Sequence, residues 1–444
     1  MRSPLTPTER VAIYEGKLQG KSLRELAHQY HCATVTARKC WRIGRQCGVV
    51  GLHAVPRGRG PSGILSQFDP QVAACAEALK RAHPGWGAQR VLLDLRHTTD
   101  LQGLALPSAS RLAVFFKARC PDCVASHRQN PPPAQGCKAK AVHEVWQLDN
   151  QEGVRLANGV VAIICNIRDP FGAAPITSQA FAGQTAKRWR KLEVAEFRQV
   201  LRAGFTEWHT LPDSVWTDNE LRLIGNPSSD FPSHLTLYLV GLGIKHEFIR
   251  PGQPTDQAQV ERGHRTLDAW AVAADGAQDL AQLQQALDHE RQVYLHEFPC
   301  QASDCAGRPP LVAHPDLLRP RRYYAPALEL ALFDIQRVYD FLATFTFERR
   351  ISTSGCISLG HQVSFGRPLV RRLKEQGKAM WVRCDPQRHE WVVYRKPTRE
   401  EPAEVELARR PIRDLSVETL TGLQPAALPP APQPLQLTLP FLAL

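Results

Sequence analysis

The sequence predicts a multidomain protein: small all-α units at the N-terminus, a central α/β core on a mixed five-stranded sheet, and a small β-barrel toward the C-terminus. Three observations predict it. A chain of 444 residues is too long for one compact core. The apolar period changes from helical to strand-like near residue 144, and short strand-like runs return after 337. Charge is divided into blocks: residues 1–140 carry 21 Lys+Arg against 8 Asp+Glu, 141–336 carry 18 against 24, 337–399 carry 13 against 5, and 400–444 carry 3 against 6. The formal net charge of +12 therefore hides two basic blocks around an acidic centre. Basic excess points to an anionic partner, nucleic acid first, but a protein that merely coats DNA has no need of an acidic middle.

Composition excludes several classes. At 43% hydrophobic and 22% charged residues the chain is globular, not disordered. No apolar run reaches the roughly 18 residues of a membrane span. Met1-Arg2-Ser3-Pro4 lacks the apolar stretch of a secretory signal, so a cytoplasmic location with reduced thiols is expected. The tightest cysteine cluster, Cys120-Pro121-Asp122-Cys123 with His127 and Cys137 downstream, lacks a second CxxC and a regular HxxxH. Free thiols in a linker are expected there, and a structural zinc is not.

In chain order, residues 1–50 read as three helices. Thr8-Glu9-Arg10 opens the first, to about Leu18. Ser22 caps the second, with Glu25 completing a capping box. The third runs from Thr34 to about Arg45 and repeats Arg38, Lys39, Arg42 and Arg45 at helical spacing. Helix, tight break and basic helix describe a helix-turn-helix, whose last helix enters the major groove. An ordinary solvated basic face is the plainer reading, and the surrounding basic block favours DNA. Residues 51–67, with Arg57 and Arg59 among Gly and Pro, form a basic linker suited to lie along phosphates.

Residues 68–119 give a second helix-turn-helix or winged unit: a helix over 70–81, the turn His83-Pro84-Gly85-Trp86-Gly87, a helix over 88–96, and a third opened by Pro107-Ser108. A Pro-rich linker covers 120–140. The central block, 141–276, begins with strand 145–149. Asn158-Gly159 marks a hairpin, and 160–165 is an apolar run suited to a strand buried on both faces. A third strand begins near Pro175, a long helix covers 184–203, and strand 214–218 precedes a polar loop. A helix at 233–242, strand 244–249 and a helix starting near Asp256 complete it. Residues 277–336 read as a Pro-interrupted helical connector, 337–399 as the barrel, and 400–444 as a largely disordered tail.

Three carboxylates in the acidic centre stand out by position: Asp149 on the first strand, Asp218 ending the fourth, and Glu261 on the helix after Pro254. Arg262 and Arg265 flank Glu261 and can meet phosphate. Carboxylates converging on strand ends suit Mg²⁺, which takes hard oxygen ligands and few from the protein. A single Asp at a strand end is ordinarily a loop cap; the set of three is what argues for chemistry.

Trp146-Gln147-Leu148-Asp149, Trp216-Thr217-Asp218-Asn219 and the long run from Arg250-Pro251-Gly252-Gln253-Pro254 through Val260-Glu261-Arg262-Gly263-His264-Arg265 resemble the signature of the DDE integrase/transposase superfamily, specifically the retroviral-integrase-like transposases of bacterial insertion sequences. His83-Pro84-Gly85-Trp86-Gly87 resembles the region that often precedes this core, and Gly307-Arg308-Pro309-Pro310 the segment that closes it. The resemblance spans roughly residues 5–400. It implies an RNase H-like core with Asp149, Asp218 and Glu261 as catalytic and metal-binding triad. It also implies Mg²⁺ (or Mn²⁺) as cofactor, and cleavage at element ends followed by transfer of the freed 3′-hydroxyl into target DNA. Double-stranded DNA, a homo-oligomer assembled on it and an accessory ATPase are the implied partners, with the barrel's Arg371 and Arg372 on phosphates. Four features depart from the pattern: Glu220 where Gly is usual, a longer gap between Asp218 and Glu261 that places an insertion in the polar loop at 221–231, Ala258 for Gly, and Gly263 for an aromatic. A catalytically silent DNA-binding descendant is the alternative; a nuclease without strand transfer is a third reading.

Overall fold

The computed structural model describes residues 5–53, 63–124, 139–185, 188–218, 230–249, 266–267, 269–271, 276–302, 304–359, 362–366, 379–397, 403–413 and 415–424. Two compact units emerge: Met1–Arg81 with Gly87–Ala125, and Ala82–Trp86 with Ser126–Leu444.

The first unit is helical. Helix α1 (Pro7–Leu18) starts on Thr6 and α2 (Leu23–Gln29) on Ser22; each carries a reciprocal capping box, with Glu9 and Glu25. Those boxes satisfy orphan N–H groups locally, so the helix starts were legible in the sequence. Helix α3 (Thr34–His53) runs past the expected end at Arg45 and is interrupted at Gly48. Ile13, Leu26, Ala37, Cys40 and Leu52 form the shared core of these helices. Then come α4 (Pro70–Ala82), α5 (Ala88–His97) and α6 (Ala109–Arg119), the last capped by Ser108. Leu112, Phe115 and Phe116 are buried beside Val72, Ala76 and Val91.

The second unit is built on a mixed five-stranded sheet in the order β3-β2-β1-β6-β7. Strands β1 (Val145–Arg155), β2 (Val161–Asp169) and β3 (Ala174–Ala182) form an antiparallel meander. Gly159 turns the first hairpin at φ 83°, a conformation glycine adopts without steric cost. Strands β6 (Ser214–Thr217) and β7 (Lys245–Phe248) then add in parallel.

The long helix expected over 184–203 is shorter and later. Strand β4 (Gln184–Thr185) pairs antiparallel with β5 (Arg188–Trp189), and α7 begins only at Val194, ending at Trp208. The cause is local. Glu193 is the N-cap, reciprocally bonded with Glu196, and Arg190 Nε reaches back to the Ala182 carbonyl at 2.7 Å while its fork holds Glu196.

Helix α8 (His234–Gly241) precedes β7, and α9 (Leu280–His296) covers the edge strand. Gln284 of α9 acts as a substitute strand: its Oε1 accepts from Ala180 N–H and its Nε2 donates to the Ser178 carbonyl, both at 2.9 Å. An edge so occupied does not recruit another chain.

Short helices α10 (Pro310–Ala313) and α11 (Glu329–Leu332) follow, then α12 (Ile335–Ala343). Helix α12 crosses the boundary drawn at 336/337. Asp334 caps it, and Val338, Tyr339 and Leu342 sit at helical spacing against the core, where strands were expected. Beyond it, β8 (Phe347–Arg350), β11 (Ala379–Asp385), β12 (Glu390–Arg395) and β13 (Val405–Pro411) form one antiparallel sheet; β9 (Cys356–Ser358) pairs with β10 (Gln362–Ser364). Phe347 packs with both Phe231 and Trp391, with ring centroids 5.4 and 6.3 Å away. The core of the mixed sheet is therefore continuous with that of the C-terminal strands.

The tail expected to be largely disordered over 400–444 is ordered in part. Strand β13 extends the sheet, where Arg409 gathers Asp385, Glu390 and Glu406. Helix α13 (Val417–Thr421) is fastened by Arg198 to the Leu420 carbonyl and by Arg202 to the Thr421 carbonyl. Residues 425–444 lie outside the described residues.

Candidate active site

The first strand owes its fixed entry to His143, fully buried and in the left-handed region at φ 57°. Its backbone N–H donates to Asp169 Oδ2 at 2.5 Å. Trp146 Nε1 donates to His143 Nδ1 at 3.2 Å, so the ring proton sits on Nε2 and goes to the Leu317 carbonyl at 2.8 Å. Asp169 also accepts from Gly172 N–H; burial pushes its carboxyl above the ordinary range against those hydrogen bonds.

From this anchor, register places two of the expected carboxylates. Strands β1 and β6 are parallel neighbours with Gln147 opposite Trp216. Asp149 lies two residues beyond Gln147, and Asp218 two beyond Trp216. Side chains alternate along strands, so Asp149, in the middle of β1, faces the same way as Gln147; Asp218 directly follows the last residue of β6. The opposite face holds Trp146, Leu148 and Val215, buried against α7. Both aspartates are partly buried. Asp149 Oδ1 accepts from the Asn150 N–H at 2.9 Å, and Asn166 lies opposite it on β2. Burial, then the nearby Asp149 charge, push the Cys165 thiol well above its usual range.

Asp218 leaves the sheet beside a hydrogen-bonded cluster that the sequence did not reveal. His246 bridges Thr217 Oγ1 at 3.0 Å and Thr236 Oγ1 at 2.9 Å. Burial lowers its imidazole to about 4, so it is neutral at physiological pH. A polar residue on a short strand carries no sequence signal for this role.

Glu261, Arg262 and Arg265 lie outside the described residues, as do Arg57, Arg59, Arg371 and Arg372. On α3, Arg38, Lys39, Arg42 and Arg45 are all exposed while Ala37, Cys40 and Gly44 are buried, so the basic side chains occupy the solvent face. Among the described residues no group of three or more His, Cys, Asp or Glu side chains could hold a metal ion. Asp149 on β1 and Asp218 just past β6 are the carboxylates of that expected set which the described residues include, and Mg²⁺ in general binds through one or two protein carboxylates plus substrate phosphates. Cys120 is buried at the end of α6 and Cys123 partly buried, with both thiols pushed up chiefly by burial; His127 and Cys137 lie outside the described residues. The groove lined by Gln199, Glu207, Gln284, Asp288 and Arg291 at the far edge of the sheet includes neither aspartate.

The turn over 83–86 serves the second unit. His83 stacks on Trp86 at 3.9 Å, and Trp86 Nε1 donates to the Trp270 carbonyl at 3.2 Å. Gly85 is required there, because a Cβ would run into the carbonyl oxygen of Ala269.

Residues 242–304 match the family model described as Integrase core domain. Among solved structures the chain is similar to the catalytic core domain of BIV integrase, with 16% identity, covering 39% of this chain and 95% of that one, at a TM-score of 0.26. It is also similar to a chain of a simian T-cell lymphotropic virus intasome in complex with PP2A regulatory subunit B56 gamma, with 13% identity, 75% and 95% coverage, and a TM-score of 0.31.

Proposed function

We propose that the chain is a member of the DDE integrase/transposase superfamily, as the match of residues 242–304 to an integrase core domain suggests, and that it is a transposase/integrase that cuts DNA at element ends and joins the freed 3′-hydroxyl to target DNA. One observation carries the reading: Asp149 on β1 and Asp218, just past the end of the parallel neighbour β6, each lie two residues beyond the paired Gln147 and Trp216. With Glu261 they form the catalytic set. Asp149 and Asp218 would hold Mg²⁺, or Mn²⁺ in its place; bound there, the cation supplies charge neutralisation at the scissile phosphate and lowers the pKa of an attacking oxygen.

The protein's own groups do the rest. The His143 clamp and the Trp146 packing fix the β1 backbone, so that Asp149 is presented without reorganisation. No covalent protein–DNA link is needed, because the hydroxyl of water or of the DNA end is the nucleophile. Arg38, Lys39, Arg42 and Arg45 on the solvent face of α3 are suited to the major groove, on the helix-turn-helix reading of 1–50. Residues 68–119 act as a second DNA-reading unit, Arg57 and Arg59 follow phosphates between them, and Arg262 and Arg265 meet phosphate at the RNase H-like core of 141–276. The C-terminal strands serve as the barrel that tracks DNA through Arg371 and Arg372. Two ends must be held at once, so a homo-oligomer on DNA is part of the reading, and an accessory ATPase fits beside it. Among the described residues no helix is long and apolar enough to cross a membrane.

The test is a metal-dependent cleavage and strand-transfer assay on the element's terminal repeats. Asp149→Asn, Asp218→Asn and Glu261→Gln should each abolish both products while the protein still binds the DNA. Activity retained in all three variants would sink the assignment. Glu220, beside Asp218 where glycine is usual, favours the catalytically silent alternative, which predicts DNA binding without products from the unaltered protein. Cleaved but unjoined DNA would mark a nuclease.

A further inference from the structure

The cluster around His246 forms a directed chain. Ser233 caps α8, and its Oγ accepts from the Thr236 N–H at 3.2 Å. Ser233 Oγ lies 3.0 Å from Thr236 Oγ1, which lies 2.9 Å from His246 Nδ1. His246 Nε2 lies 3.0 Å from Thr217 Oγ1, and Thr217 Oγ1 donates to the carbonyl of Asp218 at 3.2 Å. That last bond sets every other direction. Thr217 uses its proton on Asp218, so it must accept from His246, and the ring proton is on Nε2. Nδ1 then accepts from the Thr236 hydroxyl, which leaves Thr236 Oγ1 to accept from Ser233. Each hydroxyl hydrogen is used once, and the chain ends on the main chain of one candidate ligand.

We propose that His246 is a positioning residue: through its Nε2–H tautomer it couples the N-cap of α8 to Thr217 and so fixes the backbone at Asp218. The inference rests on the reading of Asp149 and Asp218 as metal ligands and deepens it. An ordinary filler histidine would need no particular tautomer and no hydroxyl at 217 or 236. A neutral ring is required, because an imidazolium has no acceptor for the Thr236 hydroxyl; burial lowers this imidazole to about 4, which agrees. Phe248, with its ring centroid 4.4 Å from that of His246, holds the ring plane.

The experiment uses the full chain and Mn²⁺ alone as probe, with binding read by calorimetry and by the electron paramagnetic resonance of the ion. Thr217→Val removes the hydroxyl with little change in shape, and His246→Phe removes the bridge. Each should weaken Mn²⁺ binding about three- to tenfold, the worth of one buried hydrogen bond. His246→Gln, with one donor and one acceptor, should restore part of the loss. Nitrogen-15 NMR of the imidazole should report the Nε2–H tautomer near neutral pH.

Asp218→Asn separates the two levels of the argument. If it abolishes Mn²⁺ binding while Thr217→Val leaves affinity unchanged, the positioning role is overturned and the ligand reading stands. If Asp218→Asn also binds as the unaltered protein does, the ligand reading fails and takes this inference with it. An Nδ1–H tautomer overturns the chain by itself, whether or not His246→Phe folds.

Discussion

Replacing Glu329 with Ala should be among the most destabilising single changes in the second unit. Glu329 is 1% exposed. Its carboxylate accepts from Arg202 Nε at 2.9 and 3.1 Å and from Nη2 at 2.6 Å, from Tyr238 at 3.1 Å and from Tyr324 at 2.7 Å. Truncation leaves a largely buried guanidinium and two buried phenol hydroxyls without their acceptor. Burial, with the Glu329 charge adding to it, already pushes the Tyr238 hydroxyl well above its usual range, so neither phenol can relieve the loss by ionising. Arg202 keeps one acceptor, the Thr421 carbonyl at 2.5 Å, which limits the damage.

Breaking a buried ion pair by removing one partner costs about 3–5 kcal/mol. For a unit of this size that corresponds to a fall in melting temperature of roughly 4–7 °C. Differential scanning calorimetry of Glu329→Ala, Arg202→Met and the double variant is the assay. The double variant should lose less than the two single losses added together, because the second change removes a charge already stranded. A fall below about 2 °C for Glu329→Ala, or strict additivity, would refute the view that this carboxylate is a hub.

Two further outcomes follow from the same structure. Gly85→Ala should destabilise the turn over 83–86 against residues 269–271 by about 1–3 kcal/mol, the usual range for overpacking, measured as faster hydrogen exchange at Trp270; unchanged exchange would show that the contact is dispensable. Arg38→Ala with Arg42→Ala should weaken DNA binding and flatten the plot of log K against log salt by about two phosphate contacts, or roughly 1.8 in slope. An unaltered slope would remove α3 from the DNA interface.

How much could be read from the chain varies with the range of the interaction. Ser22 with Glu25, and Ser108, are caps that act within one turn, so the helices they open began where expected, whereas α1 starts on Thr6, just ahead of the expected Thr8. The Asn158-Gly159 turn is equally local, with Asn158 Oδ1 accepting from the Val160 N–H at 3.0 Å. The stretch 184–193 misled because its helical pattern lost to Arg190, which bonds backward to Ala182 and forward to Glu196. Residues 338–343 read as strand because Val, Tyr and Phe favour strands, yet packing of Val338, Tyr339 and Leu342 overrode that preference. Residues 403–424 are poor in long apolar runs; β13 is ordered by pairing with β12, and helix α13 by partners more than 200 residues away, Arg198 and Arg202.

By itself the sequence determined the charge blocks and most of the kinds of elements, because periodicity, capping and composition act over a few residues. The tertiary structure decided what joins them. It set the register of β1 against β6, the bridging of Thr217 and Thr236 by His246, and the convergence of three polar side chains on Glu329. Each of these depends on strands and helices far apart in the chain meeting at hydrogen-bond distance, and only the folded backbone specifies such distances.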